Sequence, residues 1–490
     1  MSPAGADVGT STRSTDKGKE TMAPSIAIVG AGFTGTLLAV HILCNTTAPV
    51  SVHLIDQRGT FGQGVAYSTE SASHLLNVRA ANMSAFPDEP QHFVEWLRQR
   101  DDHAAPARSI PASGHAFVPR RLYGTYLADQ LAIAERAAAP SVSCHKLRGE
   151  VIDLAREASR FALRLANGVC VRADRVALCL GHFPPRLPCS DQPVDLPRSL
   201  VISDPWERDA LARVPTTASA LIVGTGLTMV DVVLSLLDRG HKGPIIALSR
   251  RGLLPTRHSE NRRYHDFLAD RSLPERALEA FRLVRAEVQA AADQGYNWRG
   301  VIDALRSHTH RLWQALSQDE QRRFLRHIRP YWEVHRHRMA PGVAGRIAAV
   351  LDDGQLEIRA GRLRTIQVKN GRLFVAYAPR GSESVTTIAP HFLINCGGPE
   401  CDFGRISHPL ARSLLGRGVV RPDPLGLGIE TTLDGETVGA NGTPVTGLVA
   451  LGPIARGVFW EMTAVPELRS MCATVGKRLS SFPVLTAQGW

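Results

Sequence analysis

Arg250 and Arg251 stand side by side in the stretch IIALSRRGLLP, where the apolar run 245–248 ends. Two guanidinium groups at the tip of a strand form a permanently charged, planar donor set, suited to a phosphate. Gly224 lies twenty-six residues before Arg250, and with Gly226 it breaks SALIVGTGLTMVDVVLSLL into a β-rich run, a turn and a helical run. The same interval separates Gly30 from Asp56, where SIAIVGAGFTGTLLAVHIL carries Gly30, Gly32 and Gly35 in G-x-G-x-x-G spacing and VSVHLID closes on the acid. Such glycines permit a tight turn and the close approach of a pyrophosphate, whose charge a helix N-terminus meets; an acid about 20 residues on accepts hydrogen bonds from a ribose diol. The pair therefore reads as two dinucleotide sites of opposite preference. Asp56 favours an unphosphorylated ribose, and Arg250, with Arg251 beside it, selects the 2′-phosphate of NADPH. Met229 replaces the third glycine of the second fingerprint, which predicts looser packing of that helix on its strand and suits a nicotinamide-type site.

The elements that must position these residues also repeat. After the first fingerprint, KLRGEVIDLAREASRFALRLANGVCVRADRVALCLGHFPP reads as short strands and a returning apolar strand that stops at Gly181. After the second, GRLRTIQVKNGRLFVAYAPRGSESVTTIAPHFLINCGGP repeats the order and stops at Gly397 and Gly398. The expected fold is α/β: two Rossmann-type dinucleotide-binding domains, each with a β-meander, of the kind found in flavoproteins that bind two dinucleotides. A helical insertion is expected at about 258–341, where FRLVRAEVQAAA and IDALRSHTHRLWQALS carry periods near 3.6.

Composition narrows the partners. The 490-residue chain, 44% hydrophobic and 21% charged, is long enough for more than one core. Its net charge of +11 is concentrated between 250 and 338, where eighteen arginines face eleven acids and no lysine occurs. Arginines interspersed with acids on helices suit a solvated face or a binder of small phosphates, and no basic motif interleaved with aromatics accompanies them; no nucleic-acid partner is expected. The eight cysteines follow no disulfide-scaffold spacing, and Cys396 and Cys401, which enclose four residues, fall far from the first fingerprint. A reducing, cytoplasmic setting follows. The nearly uncharged run 23–44 could pass for a membrane anchor, but its interior is the glycine turn, so no membrane partner is expected. Glu333, His335 and His337 invite a metal; alternate residues on a strand simply share one face, and no metal is expected.

The segments GAGFTG, FGQGVAYS, HLLNVRAANMSAFP, LCLGHFPP, ALSRRGLLP, RPYWEVHRHRMAP and LGPIARGVFWEMTAVPELR together resemble the bacterial FAD-NAD(P)-binding proteins, from about Ser25 to the C-terminus. In architecture the chain is more distantly similar to flavin N-hydroxylating monooxygenases. The resemblance implies FAD in the first unit and NADPH in the second. Residues 1–23, rich in Ser, Thr, Gly, Lys and Asp and without an apolar period, are expected to be a disordered leader; the resemblance implies the first part of an FAD domain at 24–200, an NADPH domain at 201–380 and a return to the FAD domain at 381–490. LVALGP resembles the late strand of such flavoproteins and ends in Gly452 and Pro453, where Gly-Asp is usual. A helix is expected from 460 to 479, with Glu461 or Thr463 as its cap and Pro466 in its first turn, aimed at the flavin. Gly64, Asn77 and Met83 are expected beside the pyrophosphate and flavin. Trp332, His335 and Arg338 are expected at an anionic substrate or the nicotinamide nucleotide, so Asn77, Trp332 and His335 are the candidates nearest the chemistry. The function implied is an NADPH-dependent, FAD-containing monooxygenase that uses O2 through a flavin C4a-hydroperoxide on a small polar or anionic metabolite. A flavoprotein reductase and a non-catalytic dinucleotide sensor are the alternatives, and oligomeric state is not legible.

Overall fold

The computed structural model describes residues 23–100, 114–189 and 196–481; the expected leader falls outside them except for Ala23. SIAIV forms β1 (Ser25–Val29), buried at all five positions, as a parallel strand covered on both faces requires. It lies between β2 (Val50–Asp56) and the returning strand β7 (Arg175–Leu178). β3 (Val142–Arg148) extends the sheet beyond β2, while β4 (Val151–Glu157), β5 (Arg160–Leu165) and β6 (Cys170–Ala173) form a separate three-stranded meander. Alternation along β1 sorts the core: Ile26 and Ile28 pack with helices Phe33–Asn45, Arg120–Ala137 and Val465–Ser480, whereas Ala27 and Val29 face the meander and helix Pro409–Gly416.

The second sheet repeats this plan. β9 (Ala220–Val223) is flanked in parallel by β10 (Ile245–Ser249) and the returning strand β14 (Phe392–Asn395), with β8 (Val201–Ile202) outside the latter. β11 (Leu356–Lys369) pairs parallel with β10 through Ala360, then antiparallel with β12 (Arg372–Pro379), which β13 (Thr386–Ile388) completes. β13 and β14 lie beyond residue 380, so the second unit continues to Asn395 rather than yielding at 381: its fingerprint strand needs β14 as neighbour. Only then does the chain rejoin the first sheet, through β15 (Glu436–Val438) and β16 (Pro444–Ala450), the latter parallel to β7. Met229 is fully buried in the second core, so the missing glycine is filled by a packed side chain rather than leaving a looser contact.

The insertion occupies the β10–β11 crossover. Its helices are Ala277–Asp293, Trp298–Ala304, Thr309–Ala315, Gln318–Arg323 and Arg329–Arg336, with a π-helical turn, Phe324–Ile328, before the last. Two starts are capped by side chains: Asn297 accepts from the Arg299 amide, and Ser317 from the Glu320 amide. His335 therefore sits on a helix and His337 just past its end, not on the strand expected from their alternation. The closing helix begins at Val465, with Ala464 before it and Pro466 in its first turn, and neither Glu461 nor Thr463 caps it. Among the described residues no helix is long and apolar enough to cross a membrane.

Candidate functional site

The two glycine turns have the same local construction. Gly30 has φ +96° and a Cβ there would lie 2.3 Å from the Cys179 carbonyl oxygen; Gly224 has φ +110° and its Cβ would lie 2.2 Å from that of Cys396. In each unit the glycine amide donates 2.8 Å to the next strand, to Ile55 O or Leu248 O. The cysteine amide of the returning strand donates to the residue before the glycine, Val29 or Val223. Gly35 is required by contact, because its Cβ would fall 1.8 Å from Gly30 O. Gly32 and Gly226 stand at the starts of helices Phe33–Asn45 and Leu227–Asp238, and neither start has a side-chain cap or an acid in its first turn. Gly226 also faces open space. Uncapped amides and bare backbone fit a pyrophosphate at both places.

The strand tips differ by one residue from the equal spacing. Because Ile55 and Leu248 are equivalent, Ser249 occupies the place of Asp56 and Arg250 follows it; the second turn reaches its strand one residue sooner. Asp56 accepts from the amides of Ala31 at 3.2 Å, Arg58 at 2.8 Å and Gly59 at 3.0 Å. Ser249 Oγ accepts from Thr225 Oγ1 at 2.8 Å and from the Gly252 amide at 3.0 Å. A neutral hydroxyl thus replaces a carboxylate where a ribose would lie. Beyond it, Arg250, Arg251, Arg326, Arg362, Arg364 and Arg380 line a cavity of about 490 Å³ that no acid lines. Arg251 lies 5.0 Å over the Tyr331 ring and donates to its hydroxyl at 3.1 Å, whereas Arg250 is exposed.

The two units meet where their returning strands end. Phe183 and Glu400, just past β7 and β14, form a β-bridge, and Arg120 donates to both Asp231 carboxylate oxygens, at 2.7 and 3.3 Å, across the seam. Gly181, with φ +67°, faces open space. Next to it, desolvation and then the Arg456 charge hold the His182 imidazole down to about 4, so it is neutral near pH 7. Burial and the nearby Arg329 press the Arg456 guanidinium below its ordinary value. Arg456 lies 4.3 Å over Trp460 and 3.7 Å from Glu333, which also accepts from Arg329 at 2.7 Å. Burial pushes the Cys396 and Cys401 thiols up, so neither is an activated thiolate.

The remaining candidates separate. Gly452, φ +82°, packs beside Thr34 in the first turn of the first-fingerprint helix, and Gly64 packs on Gly32. Asn77 lies on the seam, its carbonyl 3.0 Å from His258 Nε2. Met83 is only 2% exposed within the first core and presents almost no surface to a ligand, contrary to expectation. Thr463 is exposed, while Glu461 turns away from the closing helix into the insertion. Burial opposes Glu461 ionisation, but Arg336 at 3.3 Å, His337 and the Trp332 indole N–H donating at 3.0 Å outweigh it and hold the carboxyl below its ordinary value. Trp332 and His335 do come together, on the wall of an apolar cavity rather than an anion site. Arg338 is buried, with its guanidinium committed to Asp303 at 2.9 Å and to the His335 carbonyl at 2.7 Å, so it is not available to a substrate. Sequence reasoning passed over Ser249, His182 and Arg456 and weighed Glu333 only as a metal candidate, although all four lie in the segments ALSRRGLLP, LCLGHFPP, LGPIARGVFWEMTAVPELR and RPYWEVHRHRMAP. Among the described residues no three His, Cys, Asp or Glu side chains converge as a metal ion would need.

Residues 27–183 match the family model described as FAD-NAD(P)-binding. A curated relative, YdhS of Escherichia coli K12, described as an uncharacterized protein, is 32% identical over 110 residues; the match covers 21% of this chain and 20% of that protein, about a fifth of its length. The solved ornithine N-hydroxylase of Kutzneria sp. 744, with reduced FAD, NADP+ and L-orn in its description, aligns with a TM-score of 0.58 at 15% identity, over 93% of this chain and 99% of its own. The bacillithiol disulfide reductase of Staphylococcus aureus aligns with a TM-score of 0.53 at 10% identity, over 93% and 98%. The chain is an FAD- and NAD(P)-binding flavoprotein whose fold is shared by monooxygenases and reductases.

Proposed function

We propose that this flavoprotein is an NADPH-dependent oxidoreductase that acts as a monooxygenase on a small molecule, with O2 as second substrate. FAD would rest on Gly30, Gly32, Gly35, Gly64, Asp56, Gly181 and Gly452, and NADPH on Gly224, Gly226, Ser249, Arg250 and Arg251. When bound, the two cofactors supply hydride transfer and oxygen chemistry. The protein's own part is position, charge and exclusion of water. Arg250 and Arg251 offer cations to a 2′-phosphate, Asp56 offers a carboxylate to a ribose, and Arg456 brings a positive charge to the seam where the units meet.

The observation that carries the monooxygenase reading is the clasp between insertion and closing segment. Trp313 stacks on Trp460 at 4.8 Å and donates to Gly457 O at 2.8 Å; Trp332 and Arg336 hold Glu461, and Arg306 holds Glu467 at 2.7 and 2.8 Å. A helical body fastened over the segment after Gly452 would shield a reacting centre from solvent, as oxygen insertion demands and electron delivery to a large acceptor does not. The fold likeness to an ornithine N-hydroxylase supports the same reading, and the protonated, separated thiols argue against a cysteine relay. Eight free cysteines suit a cytoplasmic setting. The test is anaerobic reduction by NADPH followed by mixing with oxygenated buffer. A transient absorbing unlike oxidised or reduced flavin, and lasting seconds, is expected. Immediate reoxidation with stoichiometric peroxide, together with fast turnover on a quinone, would make the protein a reductase, and tight nucleotide binding without turnover would make it a sensor.

A further inference from the structure

The insertion contains a hollow lined by none of the residues assigned above to either dinucleotide. Phe281, Trp298, Trp313, Phe324, Trp332 and Trp460 line a cavity of about 550 Å³, with aliphatic side chains filling the spaces between the rings. That is an ordinary volume for a small-molecule site, where 300–1,000 Å³ is roughly the usual span. Of the polar groups on its wall, Arg285 lies 5.9 Å over the Phe281 ring and Gln289 donates to Asp293 at 3.0 Å, and four more are committed elsewhere. The Trp313 indole N–H donates to Gly457 O at 2.8 Å, that of Trp332 to Glu461 at 3.0 Å, Thr309 Oγ1 to Arg306 O at 2.9 Å, and His335 Nδ1 lies 2.7 Å from Tyr331 O. A ligand there would meet mainly rings and hydrocarbon, with Arg285 the charged group on the wall. A strongly polar occupant would lose most of its hydration with little recompense beyond the single Arg285 guanidinium.

The location is as informative as the lining. The π-helical turn divides two environments, with Phe324 and Ile328 on the apolar cavity and Arg326 and His327 on the arginine-lined one. Tyr331 joins them, its ring on the apolar wall and its hydroxyl accepting from Arg251 at 3.1 Å. On the opposite side, Trp332 and Trp460 separate the cavity from Glu461 and Arg456. The hollow is therefore bounded by the arginines proposed for NADPH on one side and the seam between the units on the other.

We infer that this cavity binds a neutral, apolar small molecule, aromatic or alicyclic, and that it holds the body of the substrate; the second half of the inference rests on the function proposed above. The direct test uses Nile red, a neutral apolar fluorophore, titrated into the full-length holoprotein. Saturable uptake of one molecule per chain is expected. Ala280→Trp, which places an indole into the cavity from helix Ala277–Asp293, should weaken uptake at least about 10-fold, as should Val284→Phe. Circular dichroism and retained flavin identify any variant that fails to fold, and the pair guards against one doing so. Absence of uptake, or uptake unchanged in both folded variants, would overturn the site. So would a wild-type dimer, seen by light scattering without dye uptake, that Ala280→Trp converts to monomer, because the cavity would then be an interface between copies. NADPH-driven flavin reduction, read separately, distinguishes the two proposals: reduction without dye binding removes the site alone, and dye binding without reduction removes the function alone.

Discussion

At the residue scale the two similar turns differ in small ways, and on the proposed function these differences would let the protein discriminate between its dinucleotides. Asp56 and Ser249 occupy one structural position and both accept from the glycine turn and the following loop, yet only the former carries charge. Arg251 is already engaged by Tyr331, so Arg250, exposed and without a hydrogen-bond partner among the described residues, would on the proposed function be the cation that closes on the 2′-phosphate. Arg250→Gln should raise KM for NADPH by roughly 10–100-fold, the value of a charge-assisted hydrogen bond, and change KM for NADH little; equal changes for both would remove the assignment. The glycines make a second, sharper contrast. Gly224→Ala forces a side chain to φ +110° and to 2.2 Å from a carbonyl oxygen, and should cost at least about 2 kcal/mol in denaturant unfolding. Gly226 has φ −82° and open space around it. Gly226→Ala should leave stability within about 0.5 kcal/mol while weakening NADPH, because its methyl group would meet only the ligand. If both variants lose stability equally, Gly226 does not face a nucleotide.

At the scale of elements, the parts dictated by backbone geometry were the most legible. A positive φ against a neighbouring carbonyl admits glycine alone, so the fingerprints, their flanking strands and the duplicated meanders could be read directly. Long-range claims on side chains could not. Glu461 resembled a helix cap until Arg336, far away in the chain, took its carboxylate, and Met83 resembled a ligand contact until the first core enclosed it. The one-residue offset at Ser249 was hidden because turn length has no marker in a count. The clasp is the element whose energetics follow most directly from these distant partners. Arg306 and Glu467 are largely buried and bidentate, so Arg306→Ala should destabilise by about 2–4 kcal/mol and open the insertion to proteolysis. Arg306→Met combined with Glu467→Leu should recover most of that loss, since no charge is then stranded. A double variant as weak as the single one would show that the pair does more than neutralise itself.

At the scale of the whole molecule, burying basic groups along the seam should couple stability to pH. Burial holds His337 and His258 down to about 4, with the charges of Arg336 and Arg338 also disfavouring their protonation, whereas the unfolded chain takes up these protons near pH 6.5. Between roughly pH 6.5 and 4 the unfolded state therefore binds more protons than the folded one. The contribution is fully present above that window and is lost as pH falls through it. Each histidine accounts for at most about 3 kcal/mol, reduced by whatever solvent reaches the ring. Asp153, held at about 2 by hydrogen bonds from Arg417 and Ser413, works in the same direction but in a lower window, below about pH 4. Urea unfolding near pH 7.5 and near pH 5 should thus show a marked loss of stability at the lower pH, before carboxylate protonation dominates. His337→Asn and His258→Asn should each reduce that loss, whatever they cost at the higher pH, because each removes a group whose protonation the fold resists. Parallel pH dependence in wild type and both variants would mean that the two rings exchange protons freely in the folded state, and that the seam between the units admits water where the packing now excludes it.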